Sequence, residues 1–414
     1  MSPPNVLVFG GLNTCSRALV GLLVPLEGEP LVSHVRVVDK FSVEPPTTYI
    51  GAEFPKLLRS KPELEYRQAN LTVAATIASM FDPPEGQSAY DYVFDFTGEV
   101  QFDRTEMIQI DRTCQVARMI GLEAAKRKVK SYVRLQHPFY ETSAKGSHDE
   151  KEDIKPEGVA GIWWHETLRM LAAIEDLNLV ILRIGYVYGP YTNWGSITSA
   201  ITVASVYGHM KKPMKSMWSP GKNPTHTVHT TDVAGGLWAC AQWMAPLGRK
   251  EADSLAGEVI IFHNDKSKTS QVEGMPAPDK KLIAPLFNLV DDSNSTLLSV
   301  GQTMTSFFGT TFEFFNLLEN TVLKLKSDAV EDINEHHVGG WTEMITTSNP
   351  PIPNTPLSAY MDTYALEKHV VAFSNKKFLE VTGYKLKQPQ LTHETVKEVV
   401  DKWKEEGSWP MLDA

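Results

Sequence analysis

Residues 6–24, VLVFGGLNTCSRALVGLLV, and Asp39 at the end of the next apolar run, VRVVD, constrain this chain more than any other feature. An apolar strand runs into a Gly10-Gly11 turn that opens a helix. A carboxylate then closes the following strand about 20 residues on, the layout of a dinucleotide-binding βαβ unit. Counted from Gly10, the second and third glycine positions fall on Asn13 and Ser16. The tight turn is therefore kept while the closest backbone approach to a pyrophosphate is altered. Backbone N–H groups from Gly11 through Asn13 and Thr14 to Cys15 are expected to face an anion at the helix N-terminus. Asn13 tolerates a left-handed backbone better than most residues, which softens the loss of glycine there. Asp39 is expected to accept hydrogen bonds from ribose hydroxyls and to repel a 2′-phosphate, favouring NAD over NADP, with Lys40 beside it moderating the preference.

Strand and helix signals alternate to about residue 240. Strands are expected at Asn5 to Phe9, His34 to Asp39, Glu65 to Ala69, Tyr92 to Thr97, Ser131 to Gln136 and Leu179 to Arg183, and a long helix at Thr105 to Lys128. The strands are short, β-branched and apolar on both faces, as in a parallel sheet covered by helices. The expectation is an α/β chain with a Rossmann-like, doubly wound parallel sheet and a smaller mixed C-terminal substrate region. In residue terms, 1–190 form the cofactor-binding domain and 191–414 the substrate-binding region. Within the latter, 228–264 contribute to the Rossmann core and 365–414 form a helical tail. Glu141 to Gly158 reads as a charged loop or lid, and the proline-bearing stretches Lys211 to Pro224 and Asn349 to Pro356 as loops. Phe307, Phe308, Phe312, Phe314 and Phe315 read as helix-core packing rather than a ligand-facing cluster.

Charge and cysteine usage narrow the class. A net charge of −10 and a pI near 5.7 argue against a grip on nucleic acid or an anionic membrane, which needs a cationic face. The basic run Lys126 to Lys130 reads as a solvated helix end. Cys15, Cys114 and Cys240 are too few and too scattered for a disulfide framework or a metal knuckle. The start MSPPN has no cationic, apolar leader, and no apolar run approaches the roughly 20 residues of a membrane span. A cytoplasmic protein acting on a small molecule is the expectation.

Several collinear segments resemble the extended short-chain dehydrogenase/reductase superfamily, in particular its NAD-dependent epimerase/dehydratase branch. They are the opening glycine turn; Ala69-Asn70-Leu71; Phe96-Thr97-Gly98; Val180 to Arg183 followed by Tyr186-Val187-Tyr188-Gly189-Pro190; Val228 to Ala234; and the tail Phe373 to Pro389 with Gly383-Tyr384. The resemblance implies that Asn70, with Leu71 beside it, meets the adenine amino group. It implies that Phe96, Thr97 and Gly98 pass behind the cofactor and that Tyr186 lies in the cofactor site. It also implies a homodimer built on helices such as Thr105 to Lys128 and Ile162 to Glu175.

The same resemblance implies a Tyr-x-x-x-Lys pair, in which the lysine lowers the tyrosine pKa so that a proton moves with the hydride. The helix that should carry it reads Gly161-Ile162-Trp163-Trp164-His165-Glu166-Thr167-Leu168-Arg169 and has neither residue. Leu135-Gln136-His137 and Trp163-Trp164 are similar to stretches of the progesterone 5β-reductase and iridoid synthase group. That comparison places its catalytic roles on Gln136 and on Trp164 or Trp163, again without the required chemistry. His165, four residues from Arg169, and Tyr140, at the end of its strand, remain as substitute acid/base candidates. Each has a structural alternative. Trp163 and Trp164 either wall an apolar pocket or anchor the helix. Asp232 reads as a structural cap, and no metal-ligand spacing is found. The leading expectation is an NAD-dependent oxidoreductase or epimerase-like enzyme acting on a polar carbonyl or hydroxyl compound. A redox-silent isomerase, lyase or cyclase and a non-catalytic NAD-sensing scaffold are the alternatives. Specificity is expected from Tyr191 to Thr225 and residues 265–360.

Overall fold

The computed structural model describes residues 3–325 and 329–412. An eight-stranded sheet runs Gly257–Val259, Ile283–Leu289, Leu179–Ile184, Ser131–Gln136, Tyr92–Asp95, Asn5–Phe9, His34–Asp39, Leu64–Gln68. All neighbours are parallel except the edge pair Gly257–Val259 and Ile283–Leu289. The chain order reverses on either side of Asn5–Phe9, which pairs with both His34–Asp39 and Tyr92–Asp95. Ligands bind at such a switch point, beyond the carboxyl ends of the strands.

The period of two in the strands sorts their side chains between two apolar layers. Val6, Val8, Val133, Leu135, Val180 and Leu182 pack on one face with the helices Thr14–Leu23 and Thr230–Met244. Leu7, Phe9, Tyr132, Leu179 and Ile181 pack on the other with Val116–Lys126 and Gly158–Ala172. Each such side chain contributes about 1.5–3 kcal/mol of burial. The double layer is why these strands read as continuous apolar runs.

Four expectations are corrected. The strand Ile283–Leu289 lies inside the stretch assigned to specificity; Pro285 in IAPLFNL argues against a central strand, but it pairs only with Gly257 in a three-residue antiparallel edge. The long helix is not uniform, because Ile110–Gln115 is π-wound between Glu106–Gln109 and Val116–Lys126. The charged segment after Tyr140 is no lid: Tyr140–Glu141 pairs with Lys155–Pro156, the N–H of His148 donates to Ala372 O at 2.8 Å, and Glu150 accepts the Asn288 N–H at 2.7 Å. Phe312 and Phe314 sit in a short strand, Phe312–Phe314, paired with Met214–Ser216, and Phe312 and Phe315 line a cavity; only Phe307 and Phe308 belong with the helical core.

Residues 266–281 lie over the helices Val116–Lys126 and Gly158–Ala172. Val272 joins Cys114, Trp163 and Met170 in a small apolar cluster, and the Arg169 guanidinium donates to the carbonyls of Ala277 and Pro278 at 3.0 and 3.3 Å. Part of the helix pair through which a homodimer was expected is thus covered by the chain itself, while Met107, Leu122 and Val159 stay exposed. A C-terminal layer gathers Trp341, Trp403 and Trp409 between Ser196–Met210, Ala329–Thr347 and His393–Glu405. Asp232 ties the tail to the sheet domain. It is fully enclosed and accepts from the Tyr384 hydroxyl and from the N–H groups of Lys387 and Gln388 at 2.9, 2.7 and 2.9 Å, whereas His229, not Asp232, caps its helix. No helix among the described residues is long and apolar enough to cross a membrane.

Candidate functional site

A cleft of about 450 Å³ opens beyond the carboxyl ends of the central strands, bounded by Thr14 and Cys15 at one end and by His137, Phe139, Gly185 and Tyr186 at the other. The Gly10-Gly11 turn precedes Thr14 and Cys15 in the chain. Gly10 has φ +69°, and a Cβ there would stand 2.9 Å from the Phe96 carbonyl carbon. Only glycine lets the first strand pass this closely to the Phe96 turn. The turn is held by the N–H groups of Gly10 and Gly11, which donate to Val38 O at 3.0 and 3.2 Å.

At the helix start, Asn13 is extended (φ −81°), not left-handed, and its side-chain oxygen accepts the Ser16 N–H at 2.9 Å. The substitution of glycine by asparagine therefore supplies a helix cap instead of a backbone conformation. The N–H groups of Asn13, Thr14 and Cys15 have no partner among the described residues. Burial pushes the Cys15 thiol pKa up to about 12, which favours the protonated thiol. Asp39 accepts the Leu12 N–H on one oxygen, at 3.1 Å, and the Lys40 N–H on the other, at 2.7 Å. The carboxylate is thus held by backbone donors and keeps acceptor capacity beyond them. Burial raises the Asp39 pKa against these backbone donors. Lys40 is exposed with its ammonium over the Phe41 ring. Asn70 is exposed; its amide oxygen already accepts the N–H and hydroxyl of Thr72, at 3.0 and 2.8 Å, and Leu71 packs on the edge of the core.

The Phe96-Thr97-Gly98 turn rests on a buried polar network. Thr97 donates its N–H and hydroxyl to Asp95 at 2.9 and 2.6 Å, Tyr132 donates to the same carboxylate at 2.5 Å, and Arg134 pairs with it at 2.8 Å. With every acceptor of Asp95 engaged, this enclosed ion pair fixes the turn from beneath. Above it, the Arg134 guanidinium lies 4.6 Å from the Trp164 ring centroid, and the Trp164 N–H donates to Glu99 O at 2.8 Å.

None of the four residues considered for catalysis lines the cleft. Trp164 and Gln136 are wholly enclosed. Tyr140 and His165 do meet: the tyrosine hydroxyl is 3.0 Å from Nδ1, while Nε2 lies 2.6 Å from Ile261 O. The carbonyl requires a proton on Nε2, so the hydroxyl donates to Nδ1. Burial drives His165 down to about 3 and Tyr140 up to about 12. Arg169, the supposed partner of His165, instead pairs with Glu166 at 3.2 Å and donates to Ile260 O at 2.7 Å. The Tyr140–His165 pair is thus a buried hydrogen bond set back from the cleft lining.

The polar groups that do reach the cleft are others. His137 forms its floor, stacked on Phe139 and edge-on to Trp164, and burial and then Arg134 lower its pKa to about 3. It is a neutral imidazole there. Tyr186 stands in the wall that the cleft shares with a second, smaller cavity. Beside it, Tyr364 stacks on Phe102 with centroids 3.8 Å apart, and its hydroxyl donates to Glu157 at 3.4 Å. The other Glu157 oxygen lies 2.8 Å from His369 Nδ1, and His369 Nε2 faces the Tyr364 carbonyl. Both ring nitrogens face acceptors, which suits an imidazolium. Burial opposes that charge, but the Glu157 carboxylate outweighs it and holds the His369 pKa above its usual value. Glu157, Tyr364 and His369 carry no local motif, and they converge only because residues 362–369 fold back over the start of the helix Gly158–Ala172. His229, at the base of its helix, lies 3.4 Å from Glu398. Among the described residues no cluster of three or more histidine, cysteine or acidic side chains could hold a metal.

No family model and no curated protein matches the sequence. Solved structures match it along nearly its whole length. UDP-glucose 4-epimerase of Thermotoga maritima with UDP-glucose is 13% identical, with a TM-score of 0.59 over 97% of this chain and 99% of that one. The Bordetella bronchiseptica enzyme WbmG with NAD and UDP is 13% identical, with a TM-score of 0.60 over 99% and 97%. A double mutant of the dTDP-glucose 4,6-dehydratase DesIV of Streptomyces venezuelae, with NAD bound, is 14% identical, with a TM-score of 0.58 over 98% of each chain. The chain shares the fold of these enzymes.

Proposed function

We propose that this chain is an NAD-binding enzyme of the epimerase/dehydratase type, acting on the carbonyl or hydroxyl group of a small molecule with acid/base residues of its own. The three unpartnered N–H groups of Asn13, Thr14 and Cys15, of which Thr14 and Cys15 line the cleft, carry the reading. They offer a dinucleotide pyrophosphate charge-assisted hydrogen bonds at a helix N-terminus. Gly10 lets the first strand close on the Phe96 turn so that the helix N-terminus is presented beside it, and the Asp39 carboxylate suits ribose hydroxyls and disfavours a 2′-phosphate. NAD, when bound, would supply or accept a hydride at the reacting carbon. The fold of the NAD-bound neighbours supports the same assignment.

The chain's own residues would handle the proton. Tyr186, backed by Tyr364 and the Glu157–His369 pair, would hold a proton at the substrate oxygen, and neutral His137 would orient that oxygen with a hydrogen bond. Enclosure of Gln136 and Trp164 favours a second reading, a redox-silent isomerase that keeps the dinucleotide only as structure. Titration of the purified protein with NADH, followed by cofactor fluorescence, tests the first requirement. Saturable binding at micromolar cofactor, at least about tenfold tighter than NADPH, is expected; no binding at millimolar cofactor sinks the proposal. Deuterium transfer from labelled NADH into product separates the two readings.

A further inference from the structure

We propose that the smaller cavity behind Tyr186 is the apolar half of the substrate site, and that the substrate is a neutral ketone or alcohol bearing one ring-sized apolar group rather than a nucleotide-linked sugar. The inference rests on the reading of the adjoining cleft as the cofactor site. The cavity holds about 140 Å³ and is walled by Ile197, Met214, Trp218, Val300, Phe312 and Met361. An apolar protein cavity of about 150 Å³ admits benzene, so the space suits one six-membered ring or an equally bulky branched chain. It shares Tyr186, Ser196 and Ala365 with the cleft, which places an apolar group next to the reacting end of the cofactor.

Two polar atoms in this apolar wall lack hydrogen-bond partners: the Tyr186 hydroxyl and His337 Nδ1, whose Nε2 is 3.1 Å from the Tyr207 hydroxyl. A buried polar atom left unpaired is costly, and a ligand oxygen reaching either one would relieve that cost. His337 is neutral, its pKa lowered by burial to about 4, so it offers a hydrogen bond without charge. The charge of the site points the same way. The cleft wall carries Asp103 and Asp362 and, among the described residues, no lysine or arginine. In the cavity wall Lys215 pairs with Glu319 at 3.3 Å, and Lys368 follows Glu367 in the chain. Beyond the helix N-terminus taken by the cofactor, a substrate diphosphate would find no lysine or arginine in the cleft wall and would meet two carboxylates.

Binding of benzylacetone, butylbenzene and UDP-glucose to the full chain, measured by saturation-transfer NMR alongside the NADH titration, tests this. Benzylacetone should bind, with UDP-glucose at least about tenfold weaker and butylbenzene weaker than the ketone. Ala200→Phe, which fills the cavity, should weaken benzylacetone about tenfold or more while NADH binding and the unfolding temperature hold. If Ala200→Phe does not fold, Tyr186→Phe decides, because it should erase the preference for benzylacetone over butylbenzene. UDP-glucose binding more tightly than benzylacetone overturns the proposal. So does ketone binding indifferent to the cavity variant, or, where Tyr186→Phe decides, a preference for the ketone that persists. Ketone binding that responds to the variants in a protein that ignores NADH would leave the cavity assigned and remove the cofactor reading instead.

Discussion

The indole of Trp164 occupies the space that a side chain on Gly98 would need: a Cβ on Gly98 would lie 2.8 Å from Trp164 Cη2. The turn expected to pass behind a cofactor and the helix expected to carry the acid/base pair are thereby locked by packing. The helix position supplies bulk rather than a proton.

That lock should be sensitive to one methyl group. Gly98 has φ +139°, so Gly98→Ala adds backbone strain to a clash with an enclosed ring. A loss of about 2–4 kcal/mol in denaturant unfolding is expected. A loss below about 0.5 kcal/mol would show that the ring moves aside freely.

Tyr140→Phe should cost stability and leave function alone. Removing the hydroxyl leaves His165 Nδ1 unpaired in an enclosed site, a penalty of about 1–3 kcal/mol. NADH affinity and turnover should be unchanged at temperatures where the variant is folded, since neither residue lines the cleft. A large drop in turnover without a drop in NADH affinity would return Tyr140 to the chemistry.

His165 should make the protein acid-sensitive. Its pKa falls from the ordinary 6.5 to about 3 on folding, so between these values the unfolded chain binds a proton that the native chain does not. Stability from this group is full above the unfolded pKa and is lost as pH falls toward the folded one. Against His165→Gln, the wild-type advantage should shrink on acidification from pH 6.5 toward 4, with a slope of at most about 1.4 kcal/mol per pH unit. Unfolding curves at several pH values read this difference, and a constant difference contradicts it.

The cover formed by residues 266–281 should keep the chain monomeric through its helix pair. Light scattering after size exclusion should give a monomer mass, and Val272→Glu, which drives a carboxylate into the cluster with Trp163 and Met170, should lower stability by about 2 kcal/mol or more. A dimer whose interface includes Cys114 or Trp163 would show that the cover opens.

Much of the frame was legible in the sequence because it is local. Strand period, the Gly10-Gly11 turn and Asp39 mark the first βαβ unit within 34 residues of chain, and the alternation of apolar runs gives the parallel sheet. The strand Ile283–Leu289 was not legible, since Pro285 is acceptable only beside a three-residue edge partner that is itself a product of the fold. The empty Tyr-x-x-x-Lys positions were visible as letters, yet their physical consequence, a ring closing on Gly98, was not.

By itself the sequence determined where the chain turns, which strands are buried on both faces and that a tight Gly10-Gly11 turn joins the first strand to a helix, because these depend on neighbours in the chain. Tertiary structure alone decided what reaches the cleft. It enclosed Tyr140, His165, Gln136 and Trp164, and it brought His137, Tyr186, Tyr364, Glu157 and His369 together across more than two hundred residues. Burial sets whether a polar group is a hydrogen-bonded strut or a reactive side chain, and burial is a property of the packed molecule rather than of any local sequence pattern.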